Sequence, residues 1–375
     1  MKISLLQENL IKGINLVSRV VANKTQLPVL ANILLATDNG KLKLSATNLE
    51  TGMNLWLGGK VEGEGKITIP ARILSEAVAS LPAGTVVLEK EGEGLKISCG
   101  KFKSKLNGIG AEEFPAVPSF RDGKTAKETI QLDKEMIEES INQIAMAAAT
   151  DESRPIFTGV KLEMKEKILR LAATDGYRLG VKTVSLKGVK KAKEMVVPAK
   201  ALMELVRALN ASEAEGKEIT LAATDEERQL IMAYGEVEVV TRLLEGEFPD
   251  FDKIIPTSHT TTVELETEEL LQAVRAAAVF AKDSANIVRF KINEKGLVIS
   301  ANAPQVGENE VEVSGKKTGE EAEIAFNSRY LLEMLNVVQS EQIVMEISGP
   351  LSPGVFKPKG DASLIQIIMP VRVQE

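Results

Sequence analysis

Three cations recur in matching surroundings: Arg72 in Ile69-Pro70-Ala71-Arg72, Lys200 in Val197-Pro198-Ala199-Lys200 and Arg329 in Phe326-Asn327-Ser328-Arg329. Each opens what reads as an amphipathic helix. A positive group repeated at one structural position suits phosphate oxygens, and phosphate contacts hold a polyanion without reading its bases. Lys12, Arg19, Lys24 and Arg275, in or beside a second set of helical stretches, are further candidates. Glu138 and Glu139 interrupt an otherwise basic face, and Lys and Arg on helix surfaces also simply keep a protein in solution. Two other charged rows alternate along strand-like segments: Lys101, Lys103 and Lys105, and Glu308, Glu310 and Glu312. A period of two places each row on one face of its strand.

Catalytic chemistry has no comparable signal. The sequence lacks the G-x-S-x-G turn of a serine nucleophile and the G-x-x-x-x-G-K-[ST] run that cradles phosphates. Gly63-Glu64-Gly65 and Gly92-Glu93-Gly94 read as hairpin turns between short strands. The single His259 lies in a Ser/Thr-rich stretch, and the single Cys99 beside Gly100 reads as a small core residue. One Cys and one His leave no disulfide and no Cys/His metal cluster to build. The run Asp225-Glu226-Glu227 lacks the ligand spacing of a calcium loop and reads as a solvated turn. No catalytic residue, metal or cofactor is expected.

The elements that must carry these residues repeat three times. Leu10, Ile14 and Val17 form a helical stripe, matched by Ile137, Ile141 and Ile144 and by Leu270, Val274 and Ala277. Asp133 and Thr267 are the expected N-caps of the second and third of these helices. Leu42, Leu44 and Ala46 alternate as in a half-buried strand. So do Leu169, Leu171 and Ala173, and Leu297, Ile299 and Ala301, with turns expected at Asn48, Asp175-Gly176 and Asn302. Pro70 and Pro198 are expected in the first turn of the second helices. Phe114-Pro115, Phe248-Pro249 and Met369-Pro370 are expected to follow the last strands. The fold class is therefore α+β: three tandem similar domains, 1–121, 127–252 and 258–375, each with two helices packed on antiparallel sheet. Ser119 to Lys127 and Pro256 to Thr262 read as linkers.

The chain has 375 residues, 44% hydrophobic and 26% charged, with 46 Lys plus Arg against 53 Asp plus Glu. The net charge of −7 argues against coating DNA by bulk electrostatics, though not against a local basic surface. Aromatics at 4% disfavour a binder that stacks single-stranded bases. The N-terminal apolar stretch is broken by Gln7, Glu8 and Asn9, so no export signal is expected. No apolar window is long enough for a transmembrane helix. A cytoplasmic protein with reduced Cys99 is the expectation. On the residues alone, a DNA-encircling protein, a repeat-built interaction scaffold and a hydrolase with an unrecognised site all stay open.

The threefold repeat, the run Ala173-Thr174-Asp175-Gly176-Tyr177-Arg178-Leu179, the segment Glu247-Phe248-Pro249-Asp250 and the ending Met369-Pro370-Val371-Arg372 together resemble the bacterial β sliding clamps, processivity subunits of DNA polymerase III. The resemblance covers the whole chain. It implies a head-to-tail homodimer, each subunit half of a closed ring, with helices inside and sheets outside. Duplex DNA is the implied topological partner, bound without sequence preference. It also implies a pocket between the second and third domains for peptides of the polymerase catalytic subunit, the clamp loader, repair polymerases and mismatch repair proteins. By motif position this pocket comprises Thr174, Gly176, Tyr177, Arg178, Leu179, Pro249, Ile254, Pro353, Ile368, Met369, Pro370 and Arg372, with Phe157, Asn327 and Tyr330 beside it. Tyr177 stands where many relatives carry His, and Gln374-Glu375 extends past the usual end. At the junction between subunits the Lys row is expected to face the Glu row, with Phe102, Leu106, Val279 and Phe280 as apolar contacts.

Overall fold

The computed structural model describes all residues except 23–24, 123–128, 189–191, 225–227, 306 and 373–375. Lys24, the Asp225-Glu226-Glu227 run and Gln374-Glu375 thus lie outside the described residues. The first repeat contains β1 (Lys2–Leu6), α1 (Gln7–Val17), β2 (Asn32–Asp38), β3 (Lys41–Thr47), β4 (Thr51–Gly58), β5 (Lys60–Gly63), β6 (Lys66–Pro70), α2 (Ala71–Ala79), β7 (Thr85–Glu91), β8 (Gly94–Cys99) and β9 (Phe102–Asn107). The second contains β10 (Ile130–Asp133), α3 (Lys134–Ile144), β11 (Gly159–Lys165), β12 (Ile168–Thr174), β13 (Arg178–Ser185), β14 (Lys193–Pro198), α4 (Ala199–Ala211), β15 (Glu218–Thr224), β16 (Gln229–Tyr234) and β17 (Val237–Arg242). The third contains β18 (Thr261–Glu266), α5 (Thr267–Ala281), β19 (Ile287–Asn293), β20 (Gly296–Ala303), β21 (Gly307–Gly319), β22 (Ala322–Asn327), α6 (Ser328–Leu335), β23 (Gln342–Ile347), β24 (Gly354–Pro358) and β25 (Leu364–Ile368). The class is α+β, with helices packed on antiparallel sheets.

The helical stripes fall where the spacing puts them. Leu10, Ile14 and Val17 of α1, Ile137, Ile141 and Ile144 of α3, and Leu270, Val274 and Ala277 of α5 are all buried. Asp133 caps α3, its Oδ1 accepting the Met136 amide at 3.0 Å. Thr267 does not cap α5. Glu266 stays extended in the ladder opposite Gln342, so Thr267 becomes the first helical residue. Its amide donates to the Glu341 carbonyl at 2.8 Å, while its hydroxyl is buried without a partner. Pro70 and Pro198 are the last residues of β6 and β14, opposite Asn32 and Gly159, and precede the helices. A strand end tolerates the missing N–H as well as a helix start does. Asn302 lies inside β20, opposite Glu308, so the turn comes after Ala303. Thr261 and Thr262 belong to β18 and not to a linker. Phe114 follows a 3₁₀ turn, Ala111–Glu113, and Phe248 lies in irregular chain; Met369-Pro370 does follow a strand.

The described chain forms two compact units, 1–138 with 200–243 and 139–199 with 244–375, so the division runs through the middle repeat. Strand pairing gives the reason. In the first unit, β17 of the second repeat joins β4 of the first, Val239 opposite Met53, in an eight-stranded sheet ordered β10-β15-β16-β17-β4-β3-β2-β6. A five-stranded sheet, β5-β1-β7-β8-β9, completes that unit. Trp56 of β4 is buried beside the seam. Arg121 and Lys43 lie against its ring at 4.0 and 5.1 Å, and its indole N–H donates to Asp38 at 2.6 Å. Its amide donates to the Glu236 carbonyl at 3.0 Å. In the second unit, β25 joins β13, Gln366 opposite Gly180, within a twelve-stranded sheet ordered β14-β11-β12-β13-β25-β24-β23-β18-β21-β20-β19-β22. Beneath it, Phe290, Phe326 and Phe356 pack edge to face, with centroids 5.4 and 5.7 Å apart.

Candidate functional site

The motif residues of the second unit converge on the turn between β12 and β13. Thr174 ends β12; its hydroxyl donates to the Arg178 carbonyl at 2.6 Å and accepts the Gly176 amide at 3.0 Å. Asp175 Oδ1 accepts the amides of Tyr177 and Arg178 at 2.8 and 3.0 Å. Gly176 has φ +92°, a conformation a side chain would strain. The turn therefore holds itself and leaves Tyr177 61% exposed.

Arg178 ties this turn to the third repeat. Its side chain is buried, its Nε donates to Asp175 Oδ2 at 3.0 Å, and its Nη1 reaches Glu333 of α6. Its guanidinium lies 4.6 Å from the Tyr330 ring centroid. Burial opposes ionisation of Glu333, but hydrogen bonds from Arg329 and Arg178 outweigh it and hold the carboxyl below its ordinary value. Burial, then the charge of Asp175, pushes the Tyr330 phenol up. Asn327 caps α6, accepting the Arg329 amide at 2.9 Å.

The chain after β25 crosses the same place. The Met369 amide donates to the Tyr177 carbonyl at 2.8 Å and the Val371 amide to the Ala325 carbonyl at 2.8 Å. Met369 is 38% exposed, so Tyr177 and Met369 form adjoining apolar surface. Leu179 and Ile368 are buried and underlie it. Leu179 packs with Phe251, Val355 and Ile367, and Phe251 meets Phe248 edge to face at 6.3 Å. This brings the segment bearing Pro249 and Ile254 against β13 and β25. Pro353 directly precedes Gly354, which pairs with Ile368. Arg154 connects Phe157 to the turn: its guanidinium stacks on that ring at 4.5 Å and its Nη2 donates to the Asp175 carbonyl at 3.3 Å. Arg372 is exposed at the end of the described chain. Of the residues that hold this candidate site together, sequence reading passes over Asp175, Arg154 and Glu333. Asp175 lies inside the motif run, and Glu333 stands four residues after Arg329, a helical ion-pair spacing that was available to be read.

The candidate cations among the described residues are exposed. Lys12 of α1 pairs with Glu213 at 3.3 Å, Arg72 of α2 with Glu76 at 2.9 Å, and Arg329 of α6 with Glu333 at 2.8 Å. Arg19 lies in a 3₁₀ turn after α1 and pairs with Glu204 at 2.8 Å. Arg275 of α5 donates to Asn336 at 2.9 Å, and Lys200 is exposed on α4. Half-neutralised cations of this kind suit weak, salt-screened contacts with a polyanion rather than tight ones. Lys101 lies in the turn before β9, outside the strand, while Lys103 and Lys105 are within it. Phe102 is 53% exposed and Val279 61%, whereas Leu106 and Phe280 are partly buried. His259 sits 3.8 Å from Glu346. Among the described residues no cluster of His, Cys, Asp and Glu could hold a metal, and no helix is long and apolar enough to cross a membrane.

Family models for the DNA polymerase III beta subunit match residues 1–118 (N-terminal domain), 131–250 (central domain) and 252–372 (C-terminal domain). The beta sliding clamp of Synechococcus elongatus is 32% identical over 381 residues, with all of both chains covered, and that of Synechocystis is 31% identical over 398 residues. The DNA polymerase III beta subunit of Thermotoga maritima superposes over the full length of both chains with a TM-score of 0.91 at 28% identity. The sliding clamp of Bacillus subtilis does so with 0.91 at 26%. Matched in all three repeats and along its whole length, the chain belongs to the DNA polymerase III beta subunit family, the beta sliding clamps.

Proposed function

We propose that this DNA sliding clamp works as a homodimeric ring closed around duplex DNA, built from domains 1–121, 127–252 and 258–375. In this reading it is a cytoplasmic, non-catalytic processivity subunit. It tethers the polymerase catalytic subunit and admits the clamp loader, repair polymerases and mismatch repair proteins at the site around Tyr177 and Met369. The observation that carries the reading is the family match in every repeat. The net charge of −7 agrees with topological rather than adhesive retention, because a closed ring needs little direct affinity. The test is retention on nicked circular plasmid after loading: cutting the circle releases a ring, whereas a scaffold that does not encircle DNA is indifferent to the cut.

Two variants separate the surfaces. Met369→Ala with Pro370→Ala removes apolar anchors and weakens polymerase-derived peptides by about 1–2 kcal/mol, with the dimer intact. Unchanged affinity in a calorimetric titration would move the site elsewhere. Arg72→Glu, Lys200→Glu and Arg329→Glu together lower loading and processive synthesis while leaving the circular dichroism spectrum unchanged, because all three positions are exposed. Normal processivity at ordinary salt would remove these cations from the DNA-facing set.

A further inference from the structure

The recurrent cations do not help the helices that carry them. Arg72, Lys200 and Arg329 are the second residues of α2, α4 and α6. A helix N-terminus bears partial positive charge, so a cation in the first turn is set against the dipole. A second residue type recurs with them. Glu76, Glu204 and Glu333 each stand four positions later, so all three repeats read cation-x-x-x-Glu. That spacing puts the two side chains on one helix face. With the cation first it is the less stabilising of the two orders, so helix stability does not account for the recurrence.

The carboxylates take up helix-borne cations. Arg72 Nε donates to Glu76 at 2.9 Å, and Arg329 Nε to Glu333 at 2.8 Å. In the middle repeat Glu204 holds two arginines: its Oε2 accepts Arg19 Nε at 2.8 Å, and its Oε1 accepts Nη1 of Arg207, three residues along α4. The hydrogen bond to Glu76 raises the Arg72 guanidinium above its ordinary value, and the one to Glu333 does the same for Arg329. The side chains of Arg72 and Glu76 are 86% and 62% exposed, so a phosphate can reach the guanidinium, but in competition with the carboxylate.

We propose that Glu76, Glu204 and Glu333 are tethered counter-ions, which compete with DNA phosphates for the helix-borne cations and so set how weakly the clamp holds duplex. The proposal rests on the DNA-facing reading of these cations given above and adds the residues that limit their grip. Each phosphate that a cation neutralises sends a condensed counter-ion into solution, and this release drives binding. Here the phosphate must first displace a carboxylate held on the same surface at high effective concentration. Every such contact is weakened without loss of a positive residue, and contacts that break as readily as they form suit sliding. Glu333 also binds Arg178, so the test is placed at Glu76 and Glu204.

The experiment is fluorescence anisotropy of a labelled linear duplex titrated with the full chain over a range of salt. Glu76→Gln raises affinity about threefold, and Glu76→Gln with Glu204→Gln about tenfold. The fall of log affinity with log salt steepens, by up to about 0.9 for each cation that gains a phosphate. Misfolding would move affinity in the opposite direction. Adding Arg72→Ala to Glu76→Gln cancels the gain. Glu62→Gln is the control: it deletes the same charge and frees Lys2 and Lys60, but on β5, away from the recurrent helix position. Equal tightening by Glu62→Gln, a gain that survives Arg72→Ala, or an unchanged salt slope overturns the tether. Unchanged affinity in Glu76→Gln overturns it too, and the DNA reading stands if the triple reversal at Arg72, Lys200 and Arg329 still weakens duplex binding in the same titration. A triple reversal that binds duplex as the parent does overturns the DNA-facing assignment, and the tether with it.

Discussion

Arg178→Ala loosens the second unit by about 3 kcal/mol, at the lower end of the range for breaking a buried ion pair because Glu333 retains 31% of its side-chain exposure. The substitution leaves the Asp175 carboxylate, 13% exposed, facing an empty space. It also strips the Tyr330 ring of its cation. Urea denaturation of the full chain should show the earlier midpoint, and Arg178→Lys should recover part of the loss, since an ammonium can meet one carboxylate but not both in a fork. The same contact has a pH signature. The Glu333 carboxyl is held below its ordinary value, so its contribution is complete above the ordinary carboxylate range and is lost as pH falls through the lower folded value. Arg178→Ala removes its own share of this increment and leaves that of Arg329, so its stability should vary less with pH in the acid range than the parent's. An identical acid dependence in both proteins would contradict the assignment.

Phe326→Ala has an effect of similar or greater size, about 3–5 kcal/mol. The ring is fully buried at the centre of the Phe290–Phe326–Phe356 stack, so truncation removes aromatic contacts on both sides. The backbone of β24 already lies against it: a methyl group on Gly354 would come within 2.5 Å of the ring edge. A hole so tightly framed by backbone relaxes little, which places the cost high in its range. Phe326→Leu, which refills much of the volume, should lose markedly less. If the two variants unfold at the same urea concentration, the ring is not packed as described.

Periodicity carried most of the local structure. The stripes through Ile14, Ile141 and Val274 are buried as spaced, and the alternating runs ending at Ala46, Ala173 and Ala301 are strands. Terminal details escaped where tertiary pairing overrode local chemistry. Thr267 has the side chain of a cap, but the β18 ladder extends to Glu266 and supplies its amide with a carbonyl instead. Pro70 has the φ of a helix start, yet the β2–β6 ladder claims it. The seams β17–β4 and β25–β13 leave no trace in periodicity, because register between distant strands is fixed by the whole sheet and not by either segment. The site shows the same division. The turn Thr174 to Arg178 was legible, since its Thr, Asp and Gly close a local hydrogen-bond circuit. The partnership of Arg178 with Glu333, 155 residues away, was not.

The setting of Trp56 gives the protein a built-in optical gauge. The chain has one tryptophan, so intrinsic indole emission comes from a single point. That point lies on β4, where the first repeat meets β17, with Arg121 over the ring and a carboxylate on the indole N–H. The turn bearing Tyr177 and residues 307–314 of β21 belong to the other unit. A shift in emission wavelength therefore reports wetting of the β4–β17 boundary, separately from events at Tyr177 or Glu310, and it does so without a dye or an added label.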